Sequence, residues 1–193
     1  MGSGNSTLSI YDPNILAMIH MQQTLLHDEI KYHQSVVEAF IRCAEKVPDE
    51  HWNTSRTPGT WTPSQEVTHL ERTYREYVIE LRRGPDVTPE TFPPQREVFR
   101  VKILPRVLKG NWFPTGAVSP DPVKPDEISL EKAQQLTGLG KRVAEFENTI
   151  IEIASSHPER QVRHPYFGAL GLIELSRVLA EHTRHHMKKL QPE

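Results

Sequence analysis

The sequence predicts an all-α fold: a four-helix bundle in up-down-down-up order, with a long crossover between the second and third helices. Long stretches carry apolar residues every three or four positions, which is the helical period. Residues 85–128 hold nine of the chain's 16 prolines, so this segment cannot be one regular element. Two short links and one long crossover allow the second and third helices to run parallel.

The first helix is predicted to follow Pro13, to run for about 33 residues and to end at Pro48. Its apolar positions alternate in steps of three and four: Leu16, Ile19, Leu26, Ile30, Val37, Phe40, Ala44 and Val47. His33 lies in the same seam. We interpret His33 as a buried, hydrogen-bonded residue rather than a metal ligand.

The second helix has a clear start. Thr62 is the predicted N-cap, Pro63 takes the first helical position and Gln65 completes a capping box, so the helix should cover about residues 63–83. Around the helix axis, its apolar residues centre roughly 120° from His69. Periodicity therefore places His69 on a flank of the apolar face. Trp61, just before the cap, is expected to pack the helix start against the core rather than to form a substrate wall.

The third helix is predicted over about residues 129–156, with Ser129 as its cap and Pro158 after its end. The fourth should cover about residues 168–190, after a compact turn at residues 163–168. In the crossover, residues 97–104 favour a short helix or strand. On the second helix, Glu66 and Thr73 lie one turn either side of His69, and we expect both on the exposed surface.

Length and composition suit one domain. We expect residues 1–10 to be a flexible end and residues 11–193 to be a single domain. A net charge of −2 gives no field that favours nucleic acid or a membrane, so a small-molecule substrate is the expected partner, with a homodimer left open. Cys43 is the single cysteine, which suits a reducing compartment, and no apolar run could span a bilayer. The chain is therefore expected to be cytoplasmic.

The fourth helix carries two histidines one turn apart. His182 and His186 lie on the same face as Leu175 and Leu179, whereas His185 falls about 60° to the other side of His182 and is not expected to be a ligand. Two imidazoles at this spacing can reach one metal ion. The predicted helix order also brings His69 to the same end of the bundle. Three imidazoles would leave open coordination positions, as in catalytic metal sites.

Three segments together resemble the DinB/YfiT-like superfamily: residues 59–70 (GTWTPSQEVTHL), 164–170 (HPYFGAL) and 182–190 (HTRHHMKKL). The resemblance covers about residues 12–190. It implies a four-helix bundle with a divalent metal ion, zinc, nickel or iron, held by one histidine of the second helix and two of the fourth. At the matching positions these are His69, His182 and His186. Lys189 departs from the pattern, because this superfamily usually has glutamine there.

Relatives of this type include thiol-dependent transferases and isomerases. A metal ion held by neutral imidazoles keeps its charge, so it can lower the pKa of a bound thiol or water. We therefore expect an S-transferase that uses a low-molecular-weight thiol, or a hydrolase, acting on a small electrophile. The alternative is a non-catalytic, stress-associated metal-binding or dimerisation module. An enzyme requires an accessible cavity beside the histidines, whereas in a module they should bond to each other or be covered by the crossover. Metal binding should weaken as pH falls through about 6.5.

Overall fold

The computed structural model describes residues 13–84, 97–126 and 129–191, so the expected flexible end lies outside the described residues. The α-helices of the described part are α1 (Pro13–Glu45), α2 (Asp49–Trp52), α3 (Pro63–Arg83), α4 (Leu104–Leu108), α5 (Lys132–Ser156) and α6 (Leu172–Leu190). In the crossover, a π-helical turn (Phe99–Ile103) leads into α4, and a 3-10 turn (Asp121–Val123) follows it. The all-α fold class is confirmed.

Helix α1 packs along α6. Arg177 of α6 binds Glu29 of α1 at 2.6 Å, and Glu181, one turn later on α6, accepts a hydrogen bond from Tyr32, nearly one turn later on α1. Both residue numbers rise together, so α1 and α6 run in the same direction. These contacts position the face of α6 that carries His182 and His186.

Helix α3 packs along α5 in the same way. Ser64 Oγ lies 2.9 Å from Gln135 Oε1 near the start of both helices, and Arg82 lies 3.2 Å from Glu145 near the end of α3. The two helices therefore run in parallel, as the long crossover between them allows. In the structure, α1 thus runs with α6 and α3 runs with α5.

A buried chain of hydrogen bonds joins the four long helices at the centre of the bundle. His33, which is fully buried, contacts Glu147 of α5 through Nδ1 at 2.9 Å and the Tyr74 hydroxyl of α3 through Nε2 at 2.8 Å. The same hydroxyl lies 2.7 Å from Thr183 Oγ1 of α6. Both ring nitrogens of His33 thus have partners, and its interpretation as a hydrogen-bonded core residue is confirmed.

The predicted starts of the last two long helices need correction. Ser129 is not the cap of α5, because the Glu131 side chain accepts the hydrogen bond from the Gln134 N–H at 3.0 Å and the helix begins at Lys132. Helix α6 begins at Leu172 instead of residue 168. The intervening residues form a hairpin of β1 (Gln161–His164) and β2 (Gly168–Gly171), with a left-handed Gly168 (φ 78°) at its turn.

The first turns of α1 also differ from the prediction. Leu16, expected in the apolar seam, is 52% exposed, and Met18 and Met21 are similarly exposed. Glu29 already pairs with Arg177, five residues into α6, so Leu16 lies about 12 Å beyond the first turn of α6. The apolar pattern of α1 therefore extends beyond the end of α6, the helix against which α1 packs.

Within the described residues, no helix is both long and apolar enough to cross a membrane.

Candidate metal centre

His69, His182 and His186 come together where the start of α3 meets the end of α6. The His182 Nε2 atom lies 3.2 Å from the His69 Nε2 atom and 2.9 Å from the His186 Nε2 atom. Each of the three offers a ring nitrogen within 4.8 Å of the others. Nitrogens bonded to one tetrahedral zinc ion at about 2.1 Å are about 3.4 Å apart. The structure therefore brings together the three histidines that the sequence singled out.

The outer nitrogens of two of these rings are engaged. His69 Nδ1 donates to the Val123 carbonyl at 2.8 Å, and His186 Nδ1 contacts the Glu66 carboxylate. In neutral rings this leaves lone pairs on both Nε2 atoms, and both face His182 Nε2. One N–H of His182 can satisfy only one of them. A cation between the three nitrogens would satisfy every lone pair, so this donor set fits a divalent metal ion.

Burial keeps these imidazoles neutral. It lowers the pKa of His69 to about 4, although the hydrogen bond to Val123 works in the opposite direction. The pKa values of His182 and His186 fall well below the ordinary range, first because of burial and then because of the neighbouring imidazoles. Only a neutral imidazole binds a metal ion. The site therefore holds its histidines in the binding-competent form at neutral pH.

Glu66 and Thr73, expected on the exposed surface, are both buried. Glu66 is 3% exposed and lies between His186 and Lys189, whose Nζ atom is 3.5 Å from the other carboxylate oxygen. Burial raises the pKa of Glu66 to about 7, while Lys189 acts to lower it. Thr73 Oγ1 donates to the His69 carbonyl at 2.8 Å. Both lie on a flank of α3 that local periodicity leaves exposed but that other segments cover in the fold.

Two aromatic rings border the histidines. Trp61 lies 4.9 Å from His69 between ring centroids and stacks on His186 at 6.2 Å. The expected packing of Trp61 against the core is therefore wrong. A residue just before the N-cap usually packs against an apolar residue at the fourth helical position, but in α3 this position is Glu66. On the other side, Phe113 of the crossover lies 5.1 Å from His182.

His185 is not part of the metal-binding group, although its ring contacts the edge of the His186 ring, with centroids 5.2 Å apart. Among the described residues, the group able to hold a metal ion comprises His69, His182 and His186. His185 is half-buried instead and packs against Phe113, with ring centroids 5.7 Å apart. Its position agrees with the angle predicted for it on the helix.

A cavity of about 1320 Å³ opens beside the three histidines. This is larger than the roughly 300–1,000 Å³ of most small-molecule sites. Trp61, Phe113 and Tyr166 contribute aromatic walls, and Lys188 and Lys189 line the end nearest the C-terminus of α6. The described part of the crossover forms one side through residues 113–123. Tyr166 and Lys188 were not identified from the sequence as part of the site.

The DinB superfamily model matches residues 33–190 of this chain. No curated protein and no solved structure matches it significantly. The matched region covers more than half of the 193 residues and includes Glu66 and the three clustered histidines. The chain therefore belongs to the DinB superfamily.

Proposed function

We propose that this protein is a metal-dependent enzyme that acts on a small electrophile, with one divalent ion held by His69, His182 and His186. The observation that carries the proposal is the convergence of three neutral imidazole nitrogens on one point of a large cavity. A structural metal site is usually closed by four protein ligands, whereas a catalytic one keeps a position open. Three ligands beside a cavity support the catalytic type.

Residues around the three histidines orient their rings and cover them. When bound, the ion would supply positive charge that lowers the pKa of a thiol or water next to it. Val123 and Glu66 hold the outer nitrogens of His69 and His186, which fixes the orientation of both rings. Trp61 and Phe113 cover ring faces and exclude water there.

We propose a low-molecular-weight thiol as the nucleophile. Both carboxylate oxygens of Glu66 are engaged, one by His186 and one by Lys189, so Glu66 supports orientation better than general-base activation of water. A thiol is acidic enough to lose its proton to solvent without such a base. Its sulfur would then bond to the electrophilic carbon, and the leaving group would depart with the bonding electron pair.

Metal analysis of protein purified without a nickel column tests the site. The wild type should carry about one metal ion per chain, and His182→Ala should lose most of it with its helicity retained. His185→Ala is the matched control, because this neighbouring histidine lies outside the cluster, and it should keep about one ion per chain. Full occupancy in His182→Ala would show that the site is assigned wrongly.

Thiol binding tests the activity class. Adding a low-molecular-weight thiol to cobalt-substituted protein should produce a sulfur-to-cobalt charge-transfer band, and His182→Ala should show none. If several thiols give no band although cobalt is bound, the S-transferase proposal is wrong. The remaining candidate would then be the non-catalytic metal-binding or dimerisation module.

A further inference from the structure

We propose that Glu181 is a positioning residue. It holds the turn of residues 110–113 on α6, and so keeps the Phe113 ring at His182, where the ring limits the bulk of a ligand beside the three histidines. The ligand class that fits is a thiol whose sulfur is carried on a primary, unbranched carbon. This ligand preference rests on the proposed function, whereas the fixing of the turn does not.

The first observation is a buried carboxylate with converging donors. Glu181 is 1% exposed. One oxygen accepts a hydrogen bond from the Tyr32 hydroxyl and lies 3.5 Å from Arg184, while the other accepts from the Asn111 backbone N–H at 2.8 Å. A buried charge is costly unless it is paired and hydrogen-bonded. These contacts satisfy Glu181 and link α1, α6 and the crossover at one point.

The second observation is the backbone of the turn. Gly110 (φ 84°) and Asn111 (φ 62°) are consecutive left-handed residues, a conformation that glycine adopts freely and asparagine tolerates. A Cβ atom on Gly110 would lie 3.4 Å from Glu181 Oε1, so the backbone passes close to the carboxylate. Arg184 also donates to the Asn111 side chain. Helix α6 thus holds the turn through both the backbone N–H and the side chain of Asn111.

The third observation connects the turn to the site. Phe113 follows Asn111 by two residues, and its ring centroid lies 5.1 Å from that of His182, the residue after Glu181. Helix α6 therefore supplies both the carboxylate that fixes the turn and the histidine that the ring covers. Phe113 also lines the cavity. The ring therefore takes up space at the His182 side of the cavity, where we expect a branched carbon beside the sulfur to fit less well than a methylene group.

The turn is tested first in metal-free protein. Glu181→Gln keeps the side-chain shape but presents an NH₂ group to one of the donors, so amide hydrogen exchange at Asn111 should accelerate at least tenfold. Tyr32→Phe removes one of the donors and should accelerate it by a smaller factor. Glu152→Gln, on the exposed face of α5, is the control and should change nothing. Wild-type exchange in both Glu181→Gln and Tyr32→Phe would overturn the positioning role.

Ligand selection is tested with cobalt-loaded protein and two probes, 2-mercaptoethanol and 2-methylpropane-2-thiol. The wild type should bind the primary thiol at least tenfold more tightly, and both Phe113→Ala and Glu181→Gln should reduce this ratio severalfold. In a Phe113→Ala background, Glu181→Gln should have no further effect on the ratio, since the two act through the same ring. An unchanged ratio in Phe113→Ala would overturn the ligand preference. If the wild type binds no cobalt, the preference fails with the proposed function, and exchange at Asn111 still decides the role of Glu181.

Discussion

Glu66 is the buried carboxylate that orients His186. It is 3% exposed and contacts His186 Nδ1 on one oxygen, with Lys189 near the other. A histidine that ligates a metal ion usually donates its other N–H to such a group, which fixes the tautomer and makes the ligand nitrogen more basic. Glu66 should therefore affect the affinity for the metal ion without itself being a ligand.

We expect Glu66→Gln to weaken metal binding by about 10- to 100-fold, the usual effect of losing such a partner. Competition against a chromophoric chelator measures this affinity. Glu71→Gln is the matched control, because Glu71 lies on the same helix outside the histidine cluster, and its affinity should equal that of the wild type. Equal affinities for the two variants would contradict the role of Glu66.

The histidine pair could be predicted from the sequence because its spacing is a local signal. Glu66 also gave a signal, since it precedes His69 by three residues and so shares its face of α3. Its burial could not be predicted, because helical periodicity records only apolar residues of the same helix. The contacts that cover this flank come from residues distant in the chain. Val123 accepts from His69, 54 residues before it, and His186 contacts Glu66, 120 residues before it.

Gln135 joins three helices at the end of the bundle near the metal centre. Its buried amide oxygen accepts from Trp52 Nε1 of α2 at 2.7 Å and contacts the Ser64 hydroxyl of α3 at 2.9 Å. Its amide nitrogen donates to the Ser64 carbonyl at 3.1 Å and to Thr68 Oγ1 at 2.9 Å. The side chain thus satisfies its neighbours and fixes how α3 begins relative to α5.

Gln135→Ala should lower the free energy of unfolding by roughly 2–4 kcal/mol, because buried donors and acceptors on Trp52 and Ser64 lose their partner. Urea unfolding measures this change. Gln134→Ala, at the exposed neighbouring position, should change the free energy by less than about 0.5 kcal/mol. A small effect of Gln135→Ala would mean that water replaces the amide at this joint.

Helix boundaries could be predicted where the signal is local and unambiguous. Thr62, Pro63 and Gln65 give α3 its start, and the structure shows both hydrogen bonds of the capping box. The start of α6 was missed because the hairpin before it depends on strand pairing between Val162 and Leu170 and on a left-handed Gly168. Neither property appears in the helical periodicity of residues 168–190.

On the scale of the whole molecule, the site depends on the crossover as much as on the bundle. Val123 holds His69, Phe113 covers His182, and buried Leu104 and Val107 anchor this segment. Nine prolines predicted an irregular connection but gave no information about its path. The path depends on contacts distant in sequence, so only the structure shows that the crossover forms a wall of the cavity.

Burying neutral histidines links the stability of the metal-free protein to pH. The pKa of His69 is about 4 in the folded chain against an ordinary value of 6.5. Between these values the unfolded chain binds more protons, so the free energy of unfolding falls as pH decreases from 6.5 to 4. Glu66 acts oppositely, because its raised pKa of about 7 makes the folded chain bind the additional proton above pH 4.5. His182 and His186 have lowered pKa values like His69, so the histidines outweigh Glu66.

We therefore expect metal-free protein to lose stability steadily between pH 6.5 and 4, with His69 alone contributing about 3 kcal/mol over about 2.5 pH units. Urea unfolding across this range measures the loss. His69→Gln should make the dependence shallower and Glu66→Gln should make it steeper, because they remove opposing contributions. The sequence-based expectation that metal binding weakens as pH falls through about 6.5 assumed ordinary histidines. The lowered pKa values of the buried imidazoles revise it, so metal binding to the folded chain should persist below pH 6.5. A wild-type stability that stays flat from pH 6.5 to 4, or release of the ion at pH 6.5, would contradict the burial of neutral imidazoles at this site.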